Sequence, residues 1–252
     1  MHCSKSIFGV IVVAALSAAP ADAAPAAGSP YDQCLARTQN DPAGALLQAG
    51  DWAKTGGGAA ADHCTALALV GLRRFAEAGI KLDALGRSAF AASGTVRMTL
   101  FDQAGNAWLL AGRPDSAIVS FTAALAVDPL DADLLADRAR ANAFKHNWAK
   151  AESDLSAALM VNPARADIYV LRGSARHALG RKADARADFD SALRIDPRNA
   201  DALVERGTAK YEGGDIAGAR ADWQAAATYQ PSSPAAETAR QHLADSAPVT
   251  SP

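Results

Sequence analysis

The chain has 252 residues, of which half are hydrophobic and 6% aromatic, with 25 basic and 27 acidic residues. A net charge of −2 gives no support to binding of nucleic acid or of an anionic membrane surface. The abundant alanine suits closely packed helices, because alanine has the highest helix propensity and little volume.

The first 23 residues are predicted to be a secretory signal peptide. Lys5 precedes an apolar run, Ile7–Leu16, and the small residues at 21–23 form a cleavage pattern. Because the apolar run is too short for an ordinary transmembrane helix, we expect cleavage at or near Ala23 and a periplasmic or secreted protein. An uncleaved membrane anchor is the alternative. After cleavage no stable membrane span is expected, and residues 24–30 form a linker.

An amino-terminal helical region is predicted at residues 31–97. Tyr31–Arg37 is a short helix candidate, and Asp41 followed by proline predicts the start of a second helix that ends at the glycines 56–58. Two further helices are expected at 59–73 and 76–87. Cleavage of the signal peptide would remove Cys3 and leave two cysteines, Cys34 and Cys64. An even number of cysteines in an exported chain predicts one disulfide, with two free buried thiols as the alternative.

Four prolines follow at intervals of 34 residues: Pro129, Pro163, Pro197 and Pro231. Numbering each unit from the residue 31 places before its proline gives approximate units 98–131, 132–165, 166–199 and 200–233. Small residues recur at unit positions 8, 20 and 27, and a large apolar residue recurs at position 24. This pattern indicates pairs of helices that approach closely and repeat along the chain.

The pattern resembles the tetratricopeptide repeat, a pair of antiparallel helices with small residues at these positions and proline at position 32. The resemblance covers residues 98–231, and 59–87 resembles a degenerate further unit. It implies an all-α fold, an α-solenoid of antiparallel helix pairs in a right-handed superhelix. Residues 234–245 are expected to form a capping helix with Ala235, Ala239 and Leu243 inward and His242 outward, before a disordered tail at 246–252.

In this family the first helix of each unit lines a concave surface that binds peptides or proteins. The residues that the resemblance places on this surface are Asp102, Asn106, Leu110, Asp137, Arg140, Phe144, Ser174, His177, Glu205, Thr208, Tyr211 and Glu212. Some members clamp a peptide's terminal carboxylate with a lysine at position 5, where this chain has Asp102. Acids dominate the surface, so we expect a neutral to basic protein or peptide partner.

Units two to four each have an arginine at position 7 and an aspartate at position 23, whereas unit one has neither. Residues that occur together in this way predict a structural ion pair between the two helices of a unit. A row of ligand-binding arginines is the alternative. The expected pairs are Arg138 with Asp154, Arg172 with Asp188, and Arg206 with Asp222.

No catalytic constellation emerges, and no cofactor is predicted. A zinc site at Cys34, His63 and Cys64 would lack a fourth ligand. The predicted function is a non-enzymatic protein–protein interaction scaffold of the bacterial cell envelope that binds a peptide or protein segment in its concave groove. One alternative is an envelope assembly or stability factor that acts through the convex face or by self-association. A remote alternative is a metal-dependent or hydrolytic enzyme.

Overall fold

The computed structural model of the chain describes residues 28–88, 91 and 93–246. The predicted signal peptide, most of the linker, and the predicted tail beyond Ser246 lie outside these residues. Within them the secondary structure is thirteen α-helices and no strand, so the predicted all-α fold of helix pairs is confirmed. The helices are α1 Pro30–Asn40, α2 Pro42–Lys54, α3 Gly58–Gly71, α4 Phe75–Arg87, α5 Gly94–Leu110, α6 Pro114–Leu125, α7 Ala132–Phe144, α8 Trp148–Val161, α9 Ala166–Ala178, α10 Lys182–Ile195, α11 Ala200–Glu212, α12 Ile216–Tyr229 and α13 Pro234–Asp245.

The described chain divides after Ala141, inside α7, into two compact units. We call the part up to Ala141 the amino-terminal unit and the part from Asn142 the carboxy-terminal unit. In each unit, helices that follow one another in sequence pack side by side.

In the amino-terminal unit, α1 packs against both α2 and α3. The predicted disulfide is confirmed: Cys34 of α1 is bonded to Cys64 of α3, with Cα atoms 6.1 Å apart. The first helix is longer than the predicted Tyr31–Arg37. It begins at Pro30, inside the predicted linker, because the Ser29 side chain accepts a hydrogen bond from the first turn and proline suits the first helical position.

The glycines at unit position 8 allow the first helix of a repeat to lie directly against an aromatic ring at position 24. A Cβ atom added at these glycines would lie only 2.5–2.6 Å from the ring in three repeats: Gly105 against Phe121, Gly173 against Phe189, and Gly207 against Trp223. Contacts this short require displacement of the ring or of the helix. The small residue is therefore a condition of the helix packing.

A left-handed residue ends the first helix of every pair from α3 to α12. The residues are Arg73, Gly112, His146, Gly180 and Gly214, with φ between 58° and 86°. Three are glycines, for which this conformation carries no Cβ clash. His146, at unit position 15, is thus a turn residue, and Arg73 occupies the equivalent place in the degenerate pair.

In the carboxy-terminal unit, α13 covers the apolar side of α11 and α12. Ala235 and Ala239 join the core that contains Leu203 and Trp223, and Leu243 packs against it. The expectation that His242 faces outward is wrong, because its ring stacks on Trp223 with centroids 4.9 Å apart. His242 follows Ala235 by seven residues, close to two helical turns, so both lie on one face.

Candidate functional site

The predicted binding residues fall on the first helices of the repeats. In the amino-terminal unit they are Asp102, Asn106 and Leu110 on α5, and Asp137 and Arg140 on α7. In the carboxy-terminal unit they are Phe144 at the end of α7, Ser174 and His177 on α9, and Glu205, Thr208, Tyr211 and Glu212 on α11. Each unit is described separately below.

The amino-terminal unit has a pair of largely buried carboxyl groups with partners of their own. Asn106 donates hydrogen bonds from Nδ2 to Asp102 Oδ1 (3.0 Å) and to the Asp102 backbone carbonyl (3.2 Å). Arg140 forms an ion pair with Asp137. Burial, reinforced by the nearby charge of Asp137, raises the pKa of Asp102 to about 7. Burial also raises the pKa of Asp137, although Arg140 opposes the shift.

The carboxy-terminal unit contains a more isolated carboxyl group, that of Glu205. The residue is only 9% exposed. Burial raises its pKa to about 8, and the charges of Asp201 and Glu212 act in the same direction. No hydrogen bond or ion pair to the Glu205 carboxyl is present among the residues that the structure describes.

Glu212, one of the carboxylates near Glu205, is held by Lys182 and His177. His177 Nε2 lies 3.0 Å from Glu212 Oε2, and Lys182 Nζ lies 2.9 Å from the same atom. Burial alone would raise the pKa of Glu212, but the hydrogen bonds from Lys182 and His177 outweigh it and the pKa is lowered. The structure thus brings His177 and Glu212 together from α9 and α11.

The remaining predicted residues are apolar anchors or hydroxyl groups turned toward their own helix. The Ser174 hydroxyl donates to the Val170 carbonyl and the Thr208 hydroxyl to the Val204 carbonyl, each at 2.9 Å. Phe144 and Tyr211 are each 43% exposed. These two aromatic side chains offer apolar contact area to a partner.

The arginines at unit position 7 lie against the aspartates of their own repeat. Arg172 Nη2 lies 2.8 Å from Asp188 Oδ1, and Arg206 Nη2 lies 2.8 Å from Asp222 Oδ1. Arg138 and Asp154 belong to different units of the chain, and their pairing stays a prediction.

Sequence reasoning missed two features of these ion pairs. A second cation reaches each aspartate from unit position 11: Arg176 at 2.8 Å from Asp188, and Lys210 at 2.8 Å from Asp222. The position-7 arginines also contact unit position 25 of the preceding repeat, at distances of 3.0–3.4 Å: Arg138 to Thr122, Arg172 to Ser156, and Arg206 to Asp190. The recurrence of basic residues at position 11 was the available signal for the first feature.

A buried chain of side chains joins three helices of the amino-terminal unit. Tyr31 Oη lies 2.6 Å from His63 Nδ1, and His63 Nε2 lies 2.8 Å from Gln103 Oε1. Burial lowers the pKa of His63 and raises that of Tyr31 to about 12, so both side chains are neutral near pH 7. Gln103 accepts at Oε1, so the imidazole carries its proton on Nε2 and accepts from Tyr31 at Nδ1.

The described residues contain no group of three or more histidine, cysteine, aspartate or glutamate side chains arranged to hold a metal ion. The zinc site considered at Cys34, His63 and Cys64 is excluded, because the two cysteines form the disulfide. None of the described helices combines the length and apolar character that a membrane crossing requires.

Comparison with known proteins identifies the repeat and the fold. The sequence pattern of the tetratricopeptide repeat matches residues 166–199. No curated protein sequence matches the chain. Among solved structures, MamA is 18% identical with a TM-score of 0.58, covering 66% of this chain and 94% of that one. YrrB, a TPR protein with an unusual peptide-binding site, is 19% identical with a TM-score of 0.55, covering 76% and 96%. MamA (residues 41 to the end) from Desulfovibrio magneticus RS-1 is 16% identical with a TM-score of 0.55, covering 77% and 98%.

Proposed function

We propose that this chain, which matches the tetratricopeptide repeat at residues 166–199, is a non-catalytic interaction scaffold that binds a segment of another protein on the first helices of its repeats. In this family those helices line the concave surface. The likeness to YrrB and MamA is one of fold, so the proposal depends on the side chains that this chain presents.

The observation that carries the proposal is the composition of the first-helix surface in the carboxy-terminal unit. It combines the carboxyl groups of Glu205 and Glu212 with Tyr211, which is 43% exposed and whose ring lies 5.6 Å from that of Trp223. The aliphatic stem of a lysine or arginine can pack on such a ring while its charge meets a carboxylate. We therefore propose a neutral to basic segment as the partner and expect its affinity to fall as salt increases.

We further propose that the protein works in the bacterial cell envelope. The disulfide supports this location, because disulfides persist in the periplasm and outside the cell and are rare in a reducing cytosol. The signal peptide predicted at residues 1–23 would deliver the chain there. Intact mass of the protein isolated from its host tests both points, with a mature start near Ala24 and no free thiol as the expected result.

The interaction role is tested by affinity capture from envelope extracts with quantitative mass spectrometry. The test variant carries Asp137→Lys and Glu205→Lys, one charge reversal in each unit. The matched control carries Asp51→Lys and Glu237→Lys, which make the same change in charge at side chains that are 79% and 75% exposed and lie outside the predicted surface. We expect the partner to be lost from the test variant and retained by the control. Equal retention by both would contradict the use of this surface.

A second candidate is an assembly factor that uses the opposite face or self-associates. It is favoured by exposed apolar side chains at the carboxyl ends of the second helices in the carboxy-terminal unit: Met160, Val161, Ile195 and Tyr229. In the capture experiment this function predicts loss of the partner from Val161→Ser with Ile195→Ser, and retention by the Asp137→Lys, Glu205→Lys variant.

A further inference from the structure

Glu205 lies in the middle of a stripe of polar residues along α11. At 100° per residue, Asp201, Thr208 and Glu212 point to the same side of the helix as Glu205. Asp201 and Thr208 are more exposed, and Glu212 is held by His177 and Lys182. Glu205 is the deeply buried carboxyl in this stripe and has no partner among the described residues.

Most basic and imidazole side chains on α11 and on the helices packed against it contact other groups, and no described contact joins the exposed Arg186 of α10 to Glu205. On α11, Arg206 and Lys210 bind Asp222 of α12, and Arg206 also binds Asp190 of α10. The neighbouring helices contribute Arg172 and Arg176 to Asp188, Lys182 and His177 to Glu212, Arg220 to the Leu243 carbonyl, and the ring of His242 to Trp223. Those interactions leave the Glu205 carboxyl without a counter-ion in the described part of the chain.

The Glu205 carboxyl nevertheless remains open to solvent at its tip. Every fully buried side-chain oxygen or nitrogen in the described residues has a hydrogen-bond partner. Since the Glu205 oxygens have no partner, they must retain some contact with solvent. Because its oxygens keep this contact with solvent, the Glu205 carboxyl can be reached by a charged group from outside.

We propose that Glu205 binds the guanidinium group of one arginine in the partner segment, and that its carboxyl group releases a proton to solvent when that arginine binds. The proposal rests on the interaction role proposed above and names the anchor and its regulation. On binding, the neutral carboxylic acid of Glu205 and the guanidinium cation become a carboxylate–guanidinium pair, and one proton is released to solvent. Arginine fits because its planar fork donates two parallel hydrogen bonds to a carboxylate and it is always charged.

The raised pKa of Glu205, about 8, gives the site its pH dependence. Below this pKa the empty site is protonated, and arginine must displace the proton; above it the site is already a carboxylate. Arginine affinity should therefore rise between pH 6 and 8.5 and become constant at higher pH. Asp201 and Glu212, on the same helix, both favour the protonated state of the empty site.

The test uses the full chain and two small probes followed by NMR shifts of the α11 amides at pH 6 and pH 8.5. The probes are N-acetyl-L-argininamide and its neutral counterpart N-acetyl-L-citrullinamide. Tenfold in affinity corresponds to one pKa unit. An acid with a pKa of about 8 is about 1% ionised at pH 6 and about three quarters ionised at pH 8.5. We therefore expect the arginine probe to bind about 75-fold tighter at pH 8.5 than at pH 6, and the citrulline probe to show no such change.

Three variants assign the effect to Glu205. Glu205→Gln should abolish the pH dependence and the preference for arginine, whereas Glu205→Asp, which keeps a carboxyl, should retain a reduced preference. In His177→Gln the pH dependence should persist, which separates Glu205 from the neighbouring histidine, a side chain type that changes charge near neutral pH. Equal binding of both probes by the natural chain, no binding of the arginine probe, or unchanged pH dependence in Glu205→Gln would overturn the proposal.

Failure of the arginine anchor and failure of the interaction surface give different results in the capture experiment. If Glu205→Gln captures the same partner as the natural chain from an envelope extract while the charge-reversed double variant does not, the interaction surface stands and the arginine anchor is wrong. If neither variant loses the partner, the proposed surface is wrong as well.

Discussion

The two units hold buried aspartates between their helices by different means. In the amino-terminal unit, Asp83 accepts hydrogen bonds from two neutral groups, the Trp108 indole nitrogen at 2.9 Å and the Ser120 hydroxyl at 2.8 Å, with the exposed Arg87 4.0 Å away. In the carboxy-terminal unit, Asp188 and Asp222 each form ion pairs with two cations.

This difference shows which acids the basic side chains of the carboxy-terminal unit contact. Four of them bind the two structural aspartates, and Lys182 and His177 contact Glu212. Glu205 remains buried on the same helix without a counter-ion. In the amino-terminal unit, by contrast, Asp102 is bonded by Asn106 and Asp137 by Arg140. The unit whose structure depends on ion pairs is thus the one that keeps a buried acid for a ligand.

The largest effect is expected from the disulfide, which occurs in the amino-terminal unit. Replacing Cys34 and Cys64 with alanine removes a cross-link that spans 30 residues. A loop of that size should contribute about 3–4 kcal/mol to the free energy of unfolding. Hydrogen exchange should therefore accelerate in α1–α3 and remain unchanged in α9–α13. Equal acceleration in both units would contradict a stabilising effect that is local to α1–α3.

The next largest effect should separate the two kinds of buried aspartate. Asp188→Asn removes the carboxylate partner of Arg172 and leaves Arg176 with Glu152 alone. We expect it to lower the free energy of unfolding by about 3 kcal/mol. Asp83→Asn is milder, below about 1 kcal/mol, because an amide can still accept from Trp108 and bond to Ser120. Urea unfolding of both variants measures the contrast. A larger loss of unfolding free energy in Asp83→Asn than in Asp188→Asn would contradict the expected contrast.

Glycines test the packing of the repeats within each unit. In Gly105→Ala and Gly173→Ala the new Cβ would lie 2.5 Å from an aromatic ring, and each should cost about 2 kcal/mol. Gly50→Ala on α2 is the control, because no atom lies within 4 Å of its added Cβ. There the higher helix propensity of alanine should raise stability by up to about 1 kcal/mol. Thermal melting measures the contrast: Gly105→Ala and Gly173→Ala should lower the melting temperature, and Gly50→Ala should raise it.

Glu205→Gln is expected to change the free energy of unfolding by an amount that depends on pH. The folded pKa of about 8 exceeds the ordinary value of 4.5, so between these values the folded protein retains a proton that the unfolded chain releases. The free energy of unfolding contributed by Glu205 thus falls as pH rises through this window. The variant should be more stable than the natural chain by up to about 3 kcal/mol at pH 7, with little difference at pH 4. Equal stability at both pH values would show that Glu205 is not desolvated.

Much of the fold was predictable because it repeats. The interval between Pro129 and Pro163, together with the small residues and the ring at fixed positions, specifies two close helices per unit, and the alternation is evident in the sequence. His242 was misplaced although its spacing from Ala235 should have placed it on the buried face. The predicted start of α1 was one residue late because the cap at Ser29 was not considered, and the helix also continues beyond the predicted end at Arg37 to Asn40.

The candidate site was predictable only as a set of positions. The repeat register assigns Glu205, His177 and Glu212 to first helices, but it does not say which charges neutralise one another. That outcome depends on side-chain reach between helices, as in the second contact of Arg206 with Asp190 and the bond between Trp108 and Asp83. Neither contact follows from a pattern within one repeat.

The carboxy-terminal unit contains a buried carboxyl group, that of Glu205, which its own cations do not neutralise. The most direct measurement is a pH titration of the side-chain carboxyl ¹³C resonance of Glu205 in the full chain, assigned by comparison with Glu205→Gln. We predict a midpoint near pH 8, lowered when N-acetyl-L-argininamide is added. A midpoint at the ordinary value of 4.5, with or without the probe, would contradict the claim.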